Sequence, residues 1–163
     1  MVTTAISREQ ILAWLGEVAD PEIPVLSITD LGIVRDVAVD GSVTVALAPT
    51  YSGCPATEVI EKSVLDALHE HGIDDVIIRR VLSPPWTTDW ISEAGRKKLL
   101  DYGIAPPAHG ASKRELLRGD HHIACPRCSS METELVSEFG STACKASYKC
   151  SDCLEPFEYF KCI

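Results

Sequence analysis

The stretch "GIVRDVAVDGSVTVALAP", residues 32–49, carries the strongest local signal in the chain. Apolar residues alternate with polar or small ones on both sides of the pair Asp40-Gly41. The apolar positions of this alternation are Val37, Val39, Val43, Val45 and Leu47. An Asp-Gly pair between two alternating runs is typical of a tight hairpin turn, because glycine reaches the positive φ that such turns require. The stretch therefore predicts two antiparallel strands with one buried face.

Helices are predicted on both sides of this hairpin. Ser7 and Gln10 have the spacing of a capping box, in which each side chain bonds to the backbone of the other residue. The helix that follows is expected to end at "DPEIP", residues 20–24, because prolines do not fit a helix interior. After the hairpin, Pro55 is expected as the first residue of a second helix and Gly72 as the residue just beyond its end.

A third strand and a third helix complete the predicted domain. The run "DVIIRRVL", residues 75–82, predicts a strand, and Thr88 is expected to cap a last helix that ends at Gly103. This order of elements favours an α+β domain over residues 1–104, a small mixed sheet packed with helices. Residues 105–120 are rich in proline, glycine and small residues, so a linker is predicted there.

Two C-x-x-C pairs mark the chain beyond this linker. Cys125 and Cys128 form the first pair and Cys150 and Cys153 the second, with 21 residues between the pairs. Two such turns can place four thiolates tetrahedrally around one ion, and closed four-cysteine sites usually hold zinc. The pattern predicts a small β-rich zinc ribbon over residues 121–163, with a rubredoxin-like iron as the alternative. So short a piece depends on its metal to fold, and the four cysteines are therefore predicted to be structural.

Two other cysteines and two histidines of this region lie outside the set of four. Cys144 and Cys162 are expected to be small buried residues, and the alternative is a second, weaker ligand set or a redox pair. His121 and His122 are expected to be polar residues at the entry to the ribbon rather than substitute ligands.

Charge and composition limit the partners and the compartment. The net charge is −9; residues 1–104 hold 8 Lys/Arg against 16 Asp/Glu, and residues 121–163 hold 4 against 6. Neither part has the basic surface that nucleic acid requires. No apolar run approaches the roughly 20 residues that cross a bilayer, and no signal-peptide pattern opens the sequence. We therefore expect a cytoplasmic protein with protein partners, no nucleic acid and no membrane, whose cysteines are ligands or reactive thiols rather than disulfides.

A lone cysteine stands before the second helix, in "PTYSGCPATEVIEKS", residues 49–63. If Pro55 is the first helical residue, Cys54 is the N-cap, where unpaired N–H groups and the helix dipole favour a thiolate. Ser52 and Gly53 beside it leave space for a bulky guest. The alternative is a small apolar residue that only fills the helix entrance.

Two acids and two tryptophans also admit two interpretations. Asp20 and Glu22 lie beside prolines, where carboxylates commonly form turns rather than functional sites. Trp86 and Trp90 are either core anchors or part of a surface that docks a partner.

Several short stretches resemble a known family. "DPEIPVLSITDLGIV", "PTYSGCPA" and "PPWTTDWIS" are similar to the iron–sulfur assembly domain family (DUF59), which includes cytosolic iron–sulfur targeting factors. With "FGSTACKASYKCSDCLEPFEYFKC" added, the resemblance narrows to the PaaD subfamily of phenylacetate degradation. Members of that subfamily accompany the multicomponent phenylacetyl-CoA epoxidase. The resemblance covers nearly the whole chain.

This resemblance implies roles for individual residues. It implies a reactive cysteine at Cys54, with Asp20, Glu22 and Thr50 around it, that handles transient iron or an iron–sulfur cluster. It further implies a maturation factor rather than an enzyme, one that helps to deliver iron or a cluster to an oxygenase component. The implied partners are the oxygenase and reductase components and iron–sulfur assembly proteins. Relatives end in histidine where this chain has Ile163, so no ligand role is expected of that residue.

Two other classes of function compete with this hypothesis. One is a non-catalytic structural subunit of the oxygenase complex that binds no iron. The other is a thiol oxidoreductase, which the absence of a C-x-x-C pair or a recognisable histidine dyad near Cys54 disfavours. A homodimer is also expected, formed through an exposed strand edge of residues 75–82 or of the hairpin.

Overall fold

A computed structural model describes residues 6–110 and 123–161 of the chain. The chain divides into two compact units, Met1–Trp86 and Thr87–Ile163. No helix among the described residues is both long enough and apolar enough to cross a membrane.

The first unit is a three-stranded sheet with two helices. Its elements in chain order are α1 (Arg8–Leu15), β1 (Val34–Asp40), β2 (Ser42–Leu47), α2 (Ala56–Glu70) and β3 (Val76–Arg80). The strand order is β1-β2-β3, with β1 antiparallel and β3 parallel to β2. The sheet is therefore mixed, as predicted from the sequence.

The core of this unit lies between the helices and one face of the sheet. In register across the three strands, Val37 faces Val45 and Val45 faces Ile78. The helices add fully or nearly fully buried side chains to the core: Ile11, Leu15, Ile60, Val64 and Leu68. The hairpin turns at Gly41, whose φ of 71° is the conformation that the Asp-Gly pair predicts.

Both helices begin close to the predicted residues. Ser7 and Gln10 form the predicted capping box at the start of α1. In α2, however, Pro55 is the N-cap rather than the first helical residue, so Cys54 lies one position before the cap and the predicted N-cap role of Cys54 is wrong. The physical reason is the turn that opens the helix, in which the N–H of Thr57 donates to the carbonyl of Cys54 at 3.2 Å. Gly72 follows the end of α2 with a φ of 78°, as expected.

The second unit is a four-stranded sheet preceded by a helix. A short 3-10 turn, Thr88–Trp90, leads into α3 (Glu93–Tyr102), followed by β4 (Ile104–Ala105), β5 (Thr133–Ser137), β6 (Lys145–Cys150) and β7 (Pro156–Phe160). The strand order is β4-β7-β6-β5, and only the β4–β7 pairing is parallel.

The third helix differs from the prediction at its start. Thr88 does not cap it; Ser92 does, and its side chain accepts a hydrogen bond from the N–H of Gly95 at 2.9 Å. Thr88 belongs to the preceding 3-10 turn and is buried. The helix ends at Gly103, as predicted, with the left-handed φ of 90° that glycine tolerates.

The division between the units falls earlier than the domain boundary expected at residue 104. The reason is that Ile104 and Ala105 form a strand of the second sheet, where Ile104 lies in register with Glu158. Arg96 strengthens this attachment, because its buried guanidinium donates to the carbonyls of Thr88 and Pro107. Residues 111–120 of the predicted linker lie outside the described residues.

Candidate functional site

The two C-x-x-C pairs sit on two tight turns of the second unit. In the first turn, the Ser129 N–H donates to the Cys125 carbonyl and the Cys125 N–H donates to the Ser130 carbonyl, both at 2.8 Å. The second turn follows directly from β6, whose last residue is Cys150. The residue after each pair, Ser129 and Leu154, has a φ of 63°. Both turns therefore bend through a left-handed residue, and this bend brings the two cysteines of each pair to the same side.

The four sulfur atoms form a compact cluster. The Sγ atoms of Cys125, Cys128, Cys150 and Cys153 all lie within 4.8 Å of one another. Across the turns, Cys125 and Cys153 are 3.7 Å apart and Cys128 and Cys150 are 3.6 Å apart, Sγ to Sγ. A tetrahedral zinc ion with bonds of about 2.3 Å requires sulfur separations of about 3.8 Å. The donor set and its spacing thus fit one tetrahedral metal ion, as predicted from the spacing of the cysteines.

Backbone amides and neighbouring sulfurs shift the pKa values of Cys150 and Cys128 in opposite directions. The amide of Cys153, with that of Asp152 and the neighbouring thiols, lowers the pKa of Cys150 to about 7 against the effect of burial. The Ser130 amide lowers the pKa of Cys128, but hydrogen bonds with the other three sulfurs and burial outweigh it and raise that pKa to about 12. Four negative charges at this spacing repel one another, so a cation is needed to keep all four sulfurs ionised.

An aromatic core supports the metal-binding turns. Tyr148 of β6 stacks on Phe157 with ring centroids 5.9 Å apart and meets Tyr159 edge-on at 5.8 Å. Two of the metal-binding cysteines belong to the same buried cluster, whose members are Ala105, Ile123, Cys125, Ala146, Tyr148, Cys150, Phe157 and Tyr159. The sulfur cluster is therefore continuous with the core of the ribbon.

Cys144 lies outside the sulfur cluster. It is buried, and its Sγ is 3.1 Å from the hydroxyl of Thr142. This position agrees with the predicted small buried residue. Cys162, His121 and His122 lie outside the described residues.

Cys54 occupies the loop that leads into α2 of the first unit. It is half-buried, while its neighbours Ser52, Gly53 and Pro55 are exposed. The Cys54 N–H donates to the Tyr51 carbonyl at 3.2 Å, which closes a turn over the loop. A Cβ at Gly53 would meet only the Tyr51 ring, at 4.0 Å, so the loop is open on that side.

The two acids that the resemblance places around Cys54, Asp20 and Glu22, belong to a different loop of the chain, the turn at residues 20–23. Asp20 is buried, and its Oδ1 accepts the N–H groups of Glu22 at 2.9 Å and Ile23 at 2.8 Å. This is the turn-forming role that the local sequence favoured. Glu22 and Thr50 are half-buried.

The two tryptophans differ in their environments. Trp86 is 5% exposed, and its indole N–H donates to the carbonyl of Leu31 at 2.7 Å, so it anchors the core of the first unit. Trp90 lies in the 3-10 turn of the second unit and is half-buried.

Sequence reasoning missed two features of the ribbon. One is β4, since a strand of two residues is too short to show alternation. The other is an ion pair between the buried Lys145 and the half-buried Glu158, whose Nζ and Oε2 atoms are 3.2 Å apart. The sequence indicated only that both residues fall within the predicted β-rich ribbon, residues 121–163.

Comparison with known proteins assigns each part to a family. The model of the "Iron-sulfur cluster assembly protein" family matches residues 8–76, and that of the "PaaD zinc beta ribbon domain" matches residues 109–161. Among solved structures, a DUF59 domain of Bacillus anthracis matches with a TM-score of 0.54 and 27% identity, covering 56% of this chain and 90% of that one. A conserved hypothetical protein of Thermotoga maritima matches with a TM-score of 0.52 and 28% identity, covering 60% and 98%.

Curated relatives extend the match to nearly the whole chain. A protein of Escherichia coli K12, named as a putative subunit of 1,2-phenylacetyl-CoA epoxidase, is 49% identical over 155 residues, covering 94% of this chain and 92% of that protein. An Fe-S protein maturation auxiliary factor of Porphyromonas gingivalis is 36% identical over 96 residues, covering 57% of this chain and 90% of that protein. These matches confirm the α+β fold and the resemblance carried by the short motifs. The chain therefore belongs to the PaaD family, in which an iron–sulfur assembly (DUF59) domain is joined to a zinc ribbon.

Proposed function

We propose that this protein is a cytoplasmic maturation factor that holds iron or an iron–sulfur cluster on Cys54 and passes it to an oxygenase component of a phenylacetyl-CoA epoxidase. Relatives of its first domain are named Fe-S protein maturation auxiliary factors, and its relative along nearly the whole chain is named as part of an epoxidase. The observation that carries the proposal is the position of Cys54. It is the sole cysteine of the first unit, and the residues next to it in the loop, Ser52, Gly53 and Pro55, are exposed.

A single thiolate suits a carrier better than a permanent site. Iron–sulfur clusters are commonly held by four protein ligands. Cys54 supplies one, so most positions on the iron stay open to other donors, including those of the receiving protein. Cargo held in this way passes on by ligand exchange, as incoming ligands replace the Cys54 sulfur. Asp20, Glu22 and Thr50 are proposed to assist cargo binding by shaping the loops around Cys54.

The ribbon has a separate, structural role in this proposal. Its four cysteines hold one zinc ion, and three of them are buried or half-buried in a packed core. Closed four-cysteine sites stabilise a fold and leave no open position for chemistry. The protein itself is proposed to turn over no substrate, and its partners are the epoxidase components and the proteins that assemble iron–sulfur clusters.

One alternative function has an observation in its favour. The Escherichia coli relative is named as a subunit, which suits a protein that stays in the epoxidase complex. A thiol oxidoreductase is disfavoured, since the first unit offers no second cysteine to resolve a mixed disulfide with Cys54.

The test compares Cys54→Ser with Ser52→Ala in cells that lack the native protein. Serine is nearly isosteric with cysteine but a poor ligand for iron, so Cys54→Ser should stay folded, within about 1 kcal/mol of the wild type, and keep its ribbon metal. The oxygenase purified from these cells should have low iron content and low activity. Ser52→Ala changes an exposed neighbour and should behave as the wild type does.

Normal iron content and full activity with Cys54→Ser would overturn the transfer role. The structural-subunit alternative would then be preferred, and copurification would test it. A structural component remains with the active oxygenase at a fixed ratio, whereas a maturation factor is absent from the active enzyme.

A further inference from the structure

β5 forms the outer edge of the ribbon sheet among the described residues. β5 is the terminal strand of the sheet and pairs with β6 on one side, and no other described strand pairs with its second side. The opposite edge strand, β4, has two residues and both are buried. The free N–H and C=O groups of an edge strand are a template for a further strand.

This edge also exposes large apolar side chains. Leu135 is 49% exposed, Val136 64% and Phe139 60%. The register between β5 and β6 shifts between Leu135 and Ser137, so Val136 lies opposite no residue of β6. Together these side chains expose apolar surface on the order of a few hundred Å², which is comparable to the largest apolar patch of a typical monomer.

The charges along this edge are acidic. Residues 131–144 contain three glutamates, Glu132, Glu134 and Glu138, and no lysine or arginine. Two lysines lie close: Lys149 of β6 is in register with Glu134, and the ammonium of Lys161, the residue after β7, lies 4.4 Å from the centre of the Phe139 ring. The edge keeps an excess of negative charge after both are counted.

A second copy of the chain does not suit this edge. Pairing β5 with itself would bring glutamates against glutamates, and like charges on facing strands are destabilising. The net charge of −9 adds a general repulsion between copies.

We propose that β5 is a docking edge for an extended segment of another protein in which lysine or arginine residues alternate with apolar ones. The backbone of that segment would pair with the free side of β5. Its apolar side chains would cover Leu135, Val136 and Phe139, and its basic side chains would face the glutamates. This surface does not include Cys54, so docking at β5 is independent of the transfer role.

The test uses a fluorescent synthetic peptide in which lysine alternates with valine, added to the zinc-loaded full-length protein. A control peptide has glutamate in place of every lysine. We expect the lysine peptide to bind, to slow hydrogen exchange at the amides of residues 133–139, and to bind more weakly as salt is raised. The glutamate peptide should not bind.

Two matched variants locate the binding. Val136→Lys adds one positive charge at a residue that is 64% exposed and should weaken binding of the lysine peptide about tenfold or more. Leu100→Lys makes the same change at an exposed position of α3, which packs against β4 at the other end of the sheet, and should leave binding within about twofold.

Three outcomes would overturn the proposal. One is the absence of exchange protection in residues 133–139. Another is an equal loss of affinity for the lysine peptide in Val136→Lys and Leu100→Lys, which would show that only the net charge of the protein matters. The third is hydrogen-exchange protection of β5 that grows with protein concentration in the absence of peptide. A second copy of the chain would then occupy the edge.

Discussion

Lys145 and Glu158 form an ion pair on the ribbon sheet, with 3.2 Å between Lys145 Nζ and Glu158 Oε2. The lysine is only 5% exposed, which is unusual for an ammonium group. Glu158 also accepts hydrogen bonds from the backbone and hydroxyl of Ser141, at 2.6 and 3.2 Å. One carboxylate therefore both neutralises the buried lysine and holds the loop before β6.

Glu158→Gln should destabilise the ribbon by about 1–3 kcal/mol, because it leaves the buried ammonium of Lys145 without a counter-charge. The matched control is Glu155→Gln, which removes the exposed ion pair with Arg127 and should cost about 1 kcal/mol or less. The free energy of unfolding of both metal-loaded variants at pH 7 measures the difference. Equal losses of unfolding free energy in the two variants would show that burial of Lys145 does not strengthen its ion pair with Glu158.

The effect of Glu158 should also depend on pH. Burial raises the pKa of this carboxyl, but the Ser141 hydrogen bonds and Lys145 outweigh that effect and lower it below its ordinary value of 4.5. The stabilisation that the ionised Glu158 carboxylate provides is therefore complete above the pKa of this group in the unfolded chain. It is lost as the pH falls through the lower pKa of the group in the folded protein. The stability difference between wild type and Glu158→Gln should shrink as the pH falls below about 4.5. A difference that stays constant over this range would contradict the assignment.

Cys150→Ser should abolish metal binding and unfold the ribbon, since the metal contributes on the order of 10 kcal/mol to such folds. Cys144→Ser is the control, because Cys144 is buried nearby but is not a member of the sulfur cluster. Elemental analysis should find about one zinc in wild type and in Cys144→Ser, and little in Cys150→Ser. Circular dichroism and thermal unfolding should show that the first unit keeps its own transition; loss of structure throughout the chain would contradict this expectation.

Leu154→Gly should stabilise the metal-loaded ribbon by about 1 kcal/mol. A non-glycine residue at positive φ costs about 1–2 kcal/mol, and Leu154, with a φ of 63°, is 64% exposed and so loses little buried surface. Leu100→Gly is the opposite case, because Leu100 belongs to the last turn of α3, where glycine is less favourable than leucine, and the change should destabilise by about 1 kcal/mol or less. Thermal unfolding of the two variants should therefore shift in opposite directions.

Trp86→Phe should destabilise the first unit by about 1–3 kcal/mol, since the Leu31 carbonyl loses a buried hydrogen-bond donor. Urea unfolding followed by circular dichroism would measure the change. An unchanged midpoint would contradict a stabilising role of the indole hydrogen bond to Leu31.

Local patterns predicted most of the first unit. The Asp40-Gly41 turn, the capping box at Ser7 and the glycine after α2 depend on contacts within a few residues, so the sequence alone contains them. The predicted start of α3 was wrong because Thr88 is buried in a 3-10 turn and Ser92 caps the helix instead, which depends on packing rather than on a local pattern.

In the candidate sites, too, local patterns were predicted correctly and features that depend on tertiary packing were not. The four ribbon cysteines were predicted because a tetrahedral ion dictates their spacing. The N-cap assignment of Cys54 failed by one residue, because whether the helix starts at proline or after it depends on the turn around Thr57. The ion pair of Lys145 and Glu158 joins two strands through tertiary packing, which no local pattern encodes.

The parallel pairing of β4 with β7 has a consequence for how the chain is made. Ile104 and its partner Glu158 are 54 residues apart, and a ribosome that adds about 5–20 residues per second needs roughly 3–10 seconds to reach the second from the first. All three strands of the first sheet, by contrast, lie within residues 34–80. During translation the first sheet can therefore form before β7, the partner of Ile104 and Ala105, has been synthesised. Cys153, the last cysteine of the sulfur cluster, emerges only a few residues before β7 does.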